Sequence, residues 1–183
     1  MSLFTKSLII YYSRKGENYT SQGIQDLPVG NTEVIAKMIS EIAGGDLFEI
    51  KPVKEYPINY RECTAVAQDE LRANARPELQ EYLDNIDEYE VIYIGYPNWW
   101  GTMPMPMMTQ LEKLDFTDKT VMPFCTHEGS GMGNSESDVK KICKGAKVMK
   151  GLPIQGSYVD TAKSKVEKWL EEIYWQVIIL SDR

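Results

Sequence analysis

Val91-Ile-Tyr-Ile-Gly-Tyr-Pro-Asn-Trp-Trp-Gly101 is the stretch on which the reading of this chain turns. Its first half is a short apolar run of strand length. Its second half ends that strand with Pro97 and Gly101 on either side of two adjacent tryptophans. Two such rings between a proline and a glycine cannot both point into a core, so at least one should line a cleft. A ring plate at the end of a buried strand suits a planar ligand, because stacking covers apolar area. Packing of both tryptophans beneath a loop is the plainer alternative. The spacing does not say which of Trp99 and Trp100 would face a ligand.

Outward from this stretch, the same kind of run recurs. Ser7 to Tyr12 reads as a first buried strand and Asp46 to Ile50 as a second. Thr120 to Thr126 is the fourth, with Pro123 counting against it. Lys147 to Met149 is a weakly marked last one. Val34, Ile35, Met38, Ile39 and Ile42 paint one face of a helix over 31–43. Asn31 or Thr32 can cap its start, and Gly44-Gly45 fits its end. Further helices are expected over 64–75, 78–86, 107–113, 134–144 and 160–173. This alternation predicts an α/β domain with a parallel sheet covered by helices on both faces. Ligands of such sheets sit beyond the carboxyl ends of the strands. The loops after the first, third and fourth strands are therefore the place to search. There is no repeat or linker, so residues 1–183 are expected to form one domain.

Bulk properties narrow the function. The 183 residues carry a net charge of -7 and are 43% apolar. An acidic chain lacks the basic footprint of a nucleic-acid binder and suits basic protein partners. Cys63, Cys125 and Cys143 are scattered and odd in number, and there is a single histidine. Neither a disulfide framework nor a metal site is expected, and a reducing, cytoplasmic setting is. The apolar runs are too short for a signal-peptide core or a membrane span, so no membrane association is expected.

After the first strand, Tyr12-Ser13 leads to Gly30-Asn31-Thr32 at the helix start. Backbone N–H groups, the Ser13 and Thr32 hydroxyls and the helix dipole could together hold a phosphate. A simple helix cap is the plainer reading. A nucleotide-hydrolysing P-loop would need a lysine followed by Ser or Thr after the glycine, and Gly30 is followed by Asn31-Thr32. After the fourth strand runs Thr126-His-Glu-Gly-Ser-Gly-Met-Gly133. Its glycines are spaced GxGxG and come too late in the chain for a Rossmann dinucleotide turn. His127 is either an ordinary loop histidine or a hydrogen-bond and proton donor to a ligand. Glu128 is expected in solvent.

Taken together these segments resemble the flavodoxin family. Tyr12-Ser13, Gly-Asn-Thr and the amphipathic helix look like its FMN (flavin mononucleotide) phosphate loop, with one departure. Arg14 to Val29 intervenes where the family runs straight from strand to helix. Asn18, Tyr19 and Thr20 could fold back from it as further donors, while Arg14 and Lys15, which the family's phosphate sites usually lack, are expected in solvent, the alternative being an added ion pair. The tryptophan loop is similar to a Pro-x-Trp segment held against the flavin ring, and 126–133 to the second ring-flanking loop. The resemblance implies a three-layer sandwich on a five-stranded parallel sheet of order 2-1-3-4-5. It implies non-covalent FMN held by Ser13, Asn18, Gly30, Asn31 and Thr32. It adds Pro97, Asn98, Trp99, Trp100 and Gly101 from the second loop, and Thr126, His127, Glu128, Gly129, Ser130 and Gly131 from the third. His127 is the one candidate catalytic group.

The resemblance further implies an electron carrier working between redox partner proteins. An NAD(P)H-dependent quinone or nitro reductase, or a non-enzymatic FMN-binding domain, would share the same motifs. Between Arg76 and Lys113 the only charged residues are acidic: Glu78, Glu81, Asp84, Asp87, Glu88, Glu90 and Glu112. They are expected either to form a solvated face or to ring the tryptophan loop with negative charge that steers basic partners. Oligomeric state is not legible.

Overall fold

Parity along the strands divides the core in two. Leu8, Ile10, Ile92, Ile94, Tyr96, Val121 and Cys125 belong to one buried cluster. Ile9, Tyr11, Tyr93, Met122 and Phe124 belong to the other. Successive strand side chains point to opposite faces, so a continuous apolar run marks a strand covered on both sides. The computed structural model describes residues 6–181.

In chain order the elements begin with β1 (Ser7–Tyr11), the hairpin β2 (Gly16–Thr20) and β3 (Gly23–Leu27), and α1 (Asn31–Ala43). β4 (Asp46–Glu49), α2 (Tyr60–Arg72), β5 (Val91–Pro97), α3 (Met105–Leu111) and β6 (Thr120–His127) follow. The last are α4 (Ser135–Ile142), β7 (Lys147–Val148), β8 (Leu152–Gln155), a 3-10 turn (Gly156–Thr161) and α5 (Lys163–Ser181). The main sheet is parallel in the order β4-β1-β5-β6, with β7 and β8 sharing the far edge of β6. This is the expected order 2-1-3-4-5, with the fifth position filled by two short strands.

Pro123 explains that break. β6 pairs with β7 through Thr120 and Val121 and resumes with β8 at Phe124. The proline, which has no N–H to give, falls between the two segments. Ile35, Ala36 and Ile39 of α1 and Val166, Trp169 and Ile173 of α5 fill one face of the sheet. Met107 and Leu111 of α3, Val139 of α4 and Cys143 just after it fill the other. All three cysteines are buried and unpaired. No helix among the described residues is long and apolar enough to cross a membrane.

Two expectations fail. Residues 78–86 are not helical. Leu79 and Ile86 are buried, Leu79 bridges to Pro52, and the Gln110 carboxamide bonds both the N–H and the C=O of Leu83. A tertiary partner thus satisfies the backbone that a helix would have satisfied for itself. Residues 16–27, read as a loop, form a separate antiparallel hairpin. The remaining helices differ from expectation by up to four residues at their ends, α2 starting four residues earlier, at Tyr60, except that α5 runs eight residues past its expected end, to Ser181.

Candidate functional site

The three loops meet at the carboxyl ends of β1, β5 and β6, where they line one open cavity of about 290 Å³. That is near the lower end of the ~300–1,000 Å³ typical of small-molecule sites.

The first loop is a helix entrance. α1 opens at Gly30, and a Cβ there would overlap Ser13 Oγ and stand 2.7 Å from the Arg14 carbonyl oxygen. Only glycine lets the returning chain pass this close. Ser13 Oγ accepts the Glu33 N–H at 3.0 Å, and the Val34 N–H reaches the Gly30 carbonyl at 3.3 Å. The N–H groups of Asn31 and Thr32 have no partner among the described residues. Ser13 keeps its own hydroxyl proton, and Thr32 and Thr126 share a buried hydroxyl contact at 2.8 Å. Free N–H groups, spare hydroxyl protons and the helix dipole suit an anion.

The second loop is a tight turn. The Trp99 N–H donates to the Thr102 carbonyl (2.8 Å), and the Thr102 N–H returns the bond (3.2 Å). The central residues Trp100 and Gly101 have φ of 56° and 87°, the left-handed pair such two-residue turns demand. Gly101 adopts this freely; Trp100 does so at a cost of roughly 1 kcal/mol. Asn98 braces the turn: its Oδ1 accepts the Gly101 N–H at 2.9 Å, and its Nδ2 donates to the Gly131 carbonyl at 2.8 Å. Its carboxamide therefore ties the second loop to the third while Asn98 itself lines the cavity.

The two tryptophans have separate environments. Trp99 is half-buried and meets Tyr56 (ring centroids 4.9 Å apart) and Tyr12 (5.4 Å) edge-on. Trp100 is 52% exposed, and its indole N–H donates to the Thr64 carbonyl at 2.9 Å. Both line the cavity.

In the third loop, His127 Nδ1 accepts the Gly129 N–H at 2.9 Å, so the proton of the neutral ring sits on Nε2. Burial lowers the imidazole pKa below its ordinary value; the Glu128 carboxylate opposes that shift and Lys165 reinforces it. The N–H groups of Ser130 and Gly131 have no partner among the described residues. Glu128 is not the solvated residue expected. It is half-buried and accepts the Ser157 hydroxyl (2.9 Å) and the Gln155 amide (3.3 Å), because β8 and the 3-10 turn after it bring those partners to its side.

The family model for flavodoxin matches residues 27–173. The chain belongs to the flavodoxin family. Among solved structures, a candidate flavoprotein from Bacteroides uniformis is 28% identical (TM-score 0.71), the match covering 91% of this chain and 98% of that one. A flavoprotein from Lactobacillus acidophilus, in complex with FMN, is 27% identical (TM-score 0.58; 86% and 97% covered). A Fusobacterium nucleatum flavodoxin bound to FMN shares the fold at 15% identity (TM-score 0.53; 94% and 98% covered). No curated protein matches.

Against the flavodoxin pattern, most expected site residues converge. Asn18, Asn31, Thr32, Pro97, Asn98, Trp99, Trp100, Thr126, His127, Glu128 and Ser130 line the cavity. Ser13, Gly30, Gly101, Gly129 and Gly131 are not among its lining residues and hold the loops in shape. A wall of Tyr60, Cys63, Thr64 and Ala67 from α2, with Arg14 and Tyr19 from the inserted segment, completes it. Sequence reading missed the α2 wall. Cys63 and Ala67 lie one helical turn apart, but a small-residue pair on a polar helix is too weak a signal to find.

Arg14, expected in solvent, is half-buried and hydrogen-bonded to backbone carbonyls. The acidic stretch does not ring the tryptophan loop. Asp87, Glu88 and Glu90 precede β5, at the amino end of the sheet, where Lys6 pairs with Glu88. Glu112 is tied to Arg76, and none of the seven acids lines the cavity.

Proposed function

We propose that this flavodoxin-family chain holds one FMN without a covalent bond and carries electrons between redox partner proteins in the cytoplasm. One observation supports this above the rest: three loops from adjacent strands converge on a single cavity whose donor set changes along its length. At one end are the unpaired N–H groups of Asn31 and Thr32 with the hydroxyls near them, which fit a phosphate. At the other are Trp100, the unpaired N–H groups of Ser130 and Gly131, and neutral His127, which fit a flat heteroaromatic ring with acceptor edges.

Bound there, FMN would supply reversible uptake of one or two electrons. The chain's own residues bind and orient it. Gly30 lets the backbone close on the phosphate, Asn98 locks the two ring-side loops together, and the loop N–H dipoles favour negative charge at the ring edge. His127 offers an Nε2–H as a hydrogen-bond donor. Partners would dock over the open mouth, where Trp100 and Tyr19 are each 52% exposed. The overall charge of -7 favours a basic partner through its long-range field.

A second reading, a reductase of quinones or nitro compounds, has one specific observation behind it. Tyr19 leans on Tyr60 (centroids 6.2 Å apart, 32° between planes), and both line the cavity with Trp100, which would suit a planar substrate. The test is direct. The purified protein is titrated with FMN, and the loaded protein is mixed anaerobically with NADH or NADPH. The carrier reading expects tight one-to-one binding and no bleaching until a reductase partner is added. Fast bleaching by the pyridine nucleotide alone would replace the carrier with the reductase. Absence of flavin binding would remove both.

A further inference from the structure

Arg14 lies where the chain leaves the flavodoxin pattern, and its surroundings are unusual for a charged side chain. One Nη1–H donates to the Glu17 carbonyl, and Nη2 donates to the carbonyls of Pro57 and Ile58, both at 2.7 Å. All three acceptors are neutral. No carboxylate among the described residues forms an ion pair with it. It is also the only lysine or arginine lining the cavity. A guanidinium stays charged at physiological pH and carries five N–H donors, so two remain after these bonds. A half-buried charge held only by neutral acceptors can still gain from an anionic partner.

The three carbonyls come from β2 and from the segment before α2, so the head group is fixed before any ligand arrives. Preorganisation of this kind removes ordering entropy from binding. The backbone of Arg14 packs directly on Gly30, next to the unpaired N–H groups of Asn31 and Thr32. The same cavity thus presents a guanidinium and a helix entrance from one stretch of chain. Oxidised FMN carries its full charges on the phosphate alone.

We infer that Arg14 is the fixed counter-charge for the phosphate of the bound flavin, and that it selects FMN over riboflavin. This rests on the FMN reading above and adds a residue to it. Backbone N–H groups and hydroxyls then share the phosphate with a full positive charge, so binding weakens with ionic strength.

The test compares FMN with riboflavin, which lacks the phosphate, by fluorescence titration of the wild type, R14Q and R14K at low and high salt. A charge-assisted contact of ~1.5–3 kcal/mol corresponds to roughly tenfold to hundredfold in affinity. R14Q is expected to lose that much for FMN, to keep its riboflavin affinity within about twofold, and to show a flatter salt dependence. R14K, which keeps the charge and loses the fork, should retain part of the preference and serves if R14Q folds poorly. A merely structural brace would cost both ligands equally. Equal losses, or an unchanged FMN affinity in R14Q, would overturn the inference. A wild type that binds neither flavin would instead overturn the cofactor reading and this inference with it.

Discussion

The turn at Trp99–Thr102 and the hairpin at Gly16–Leu27 both line the cavity, and they are held there in different ways. The turn hangs from the sheet. Asn98 and Asn134 bond the Gly101 backbone, and the Thr102 hydroxyl donates to Asp138 of α4 at 2.6 Å. Its first ring, Trp99, packs against the core through Tyr12 and Tyr56. The hairpin satisfies its own backbone and touches the rest through the Tyr19–Tyr60 ring contact and a few polar tethers. Glu17 accepts the Tyr60 N–H at 2.8 Å, Arg14 reaches two carbonyls, and the Ser21 N–H meets Ser157 at 3.0 Å. A two-stranded hairpin is marginal alone. One wall therefore inherits its order from the fold, and the other adds shape to the site while contributing little to the core.

The largest effect expected from this contrast lies within the turn. Trp99→Ala removes a ring wedged edge-on between two tyrosines. A fully buried tryptophan costs ~3–5 kcal/mol on truncation, and a half-buried one about 2–3 kcal/mol. Trp100→Ala removes an exposed ring held by one hydrogen bond and should change stability by less than about 1 kcal/mol. The cofactor should respond in the opposite order, with Trp100→Ala shifting the visible spectrum and affinity of bound FMN more per unit of stability lost. Urea denaturation of the apo forms and flavin titration measure the two quantities. Equal destabilisation by the two changes would dissolve the distinction.

Replacing the hairpin tests the other wall. Gly16 and Leu27 are cross-strand partners, so Lys15 and Pro28 lie close enough for a two-glycine bridge. The shortened chain should fold with a loss of about 1 kcal/mol, the worth of a few surface hydrogen bonds. Its FMN affinity should fall by about tenfold or more, since it loses Asn18, Tyr19 and the Glu17 carbonyl that helps seat Arg14. Circular dichroism melts and fluorescence titration decide this. A large drop in melting temperature with unchanged affinity would make the hairpin structural.

The same contrast explains what could be read from the sequence. The parallel strands and the three loops were legible because buried parallel strands are continuous apolar runs, and their ends point at the ligand; the strand order came from the family resemblance. The hairpin was not legible. Its strands, Gly-Glu-Asn-Tyr-Thr and Gly-Ile-Gln-Asp-Leu, bury little and alternate weakly. The α2 wall was hidden in a helix chosen for small side chains, and residues 78–86 had a helical pattern whose backbone partner, Gln110, lies far along the chain. β8 follows the break at Pro123, so the pairing that anchors Glu128 had no local signal.

The smallest effect concerns pH and separates the walls through the chain's one histidine. His127 belongs to the sheet-borne wall, and burial holds its pKa below the ordinary value of 6.5. Its Nδ1 accepts the Gly129 N–H, a bond only the unprotonated nitrogen can make. As pH falls through about 6.5, the unfolded chain takes up a proton that the folded chain resists. Unfolding free energy therefore decreases with falling pH over that window, before the carboxylates titrate. In His127→Asn, whose carboxamide oxygen can still accept the Gly129 N–H, that slope should vanish while stability near neutral pH is kept. The hairpin-shortened chain retains His127 and β8 and should keep the wild-type slope. Melting temperatures of the three proteins between about pH 7.5 and 5.5 provide the comparison. A slope that persists in His127→Asn would assign it to other groups, and one lost with the hairpin would mean that the two walls are coupled.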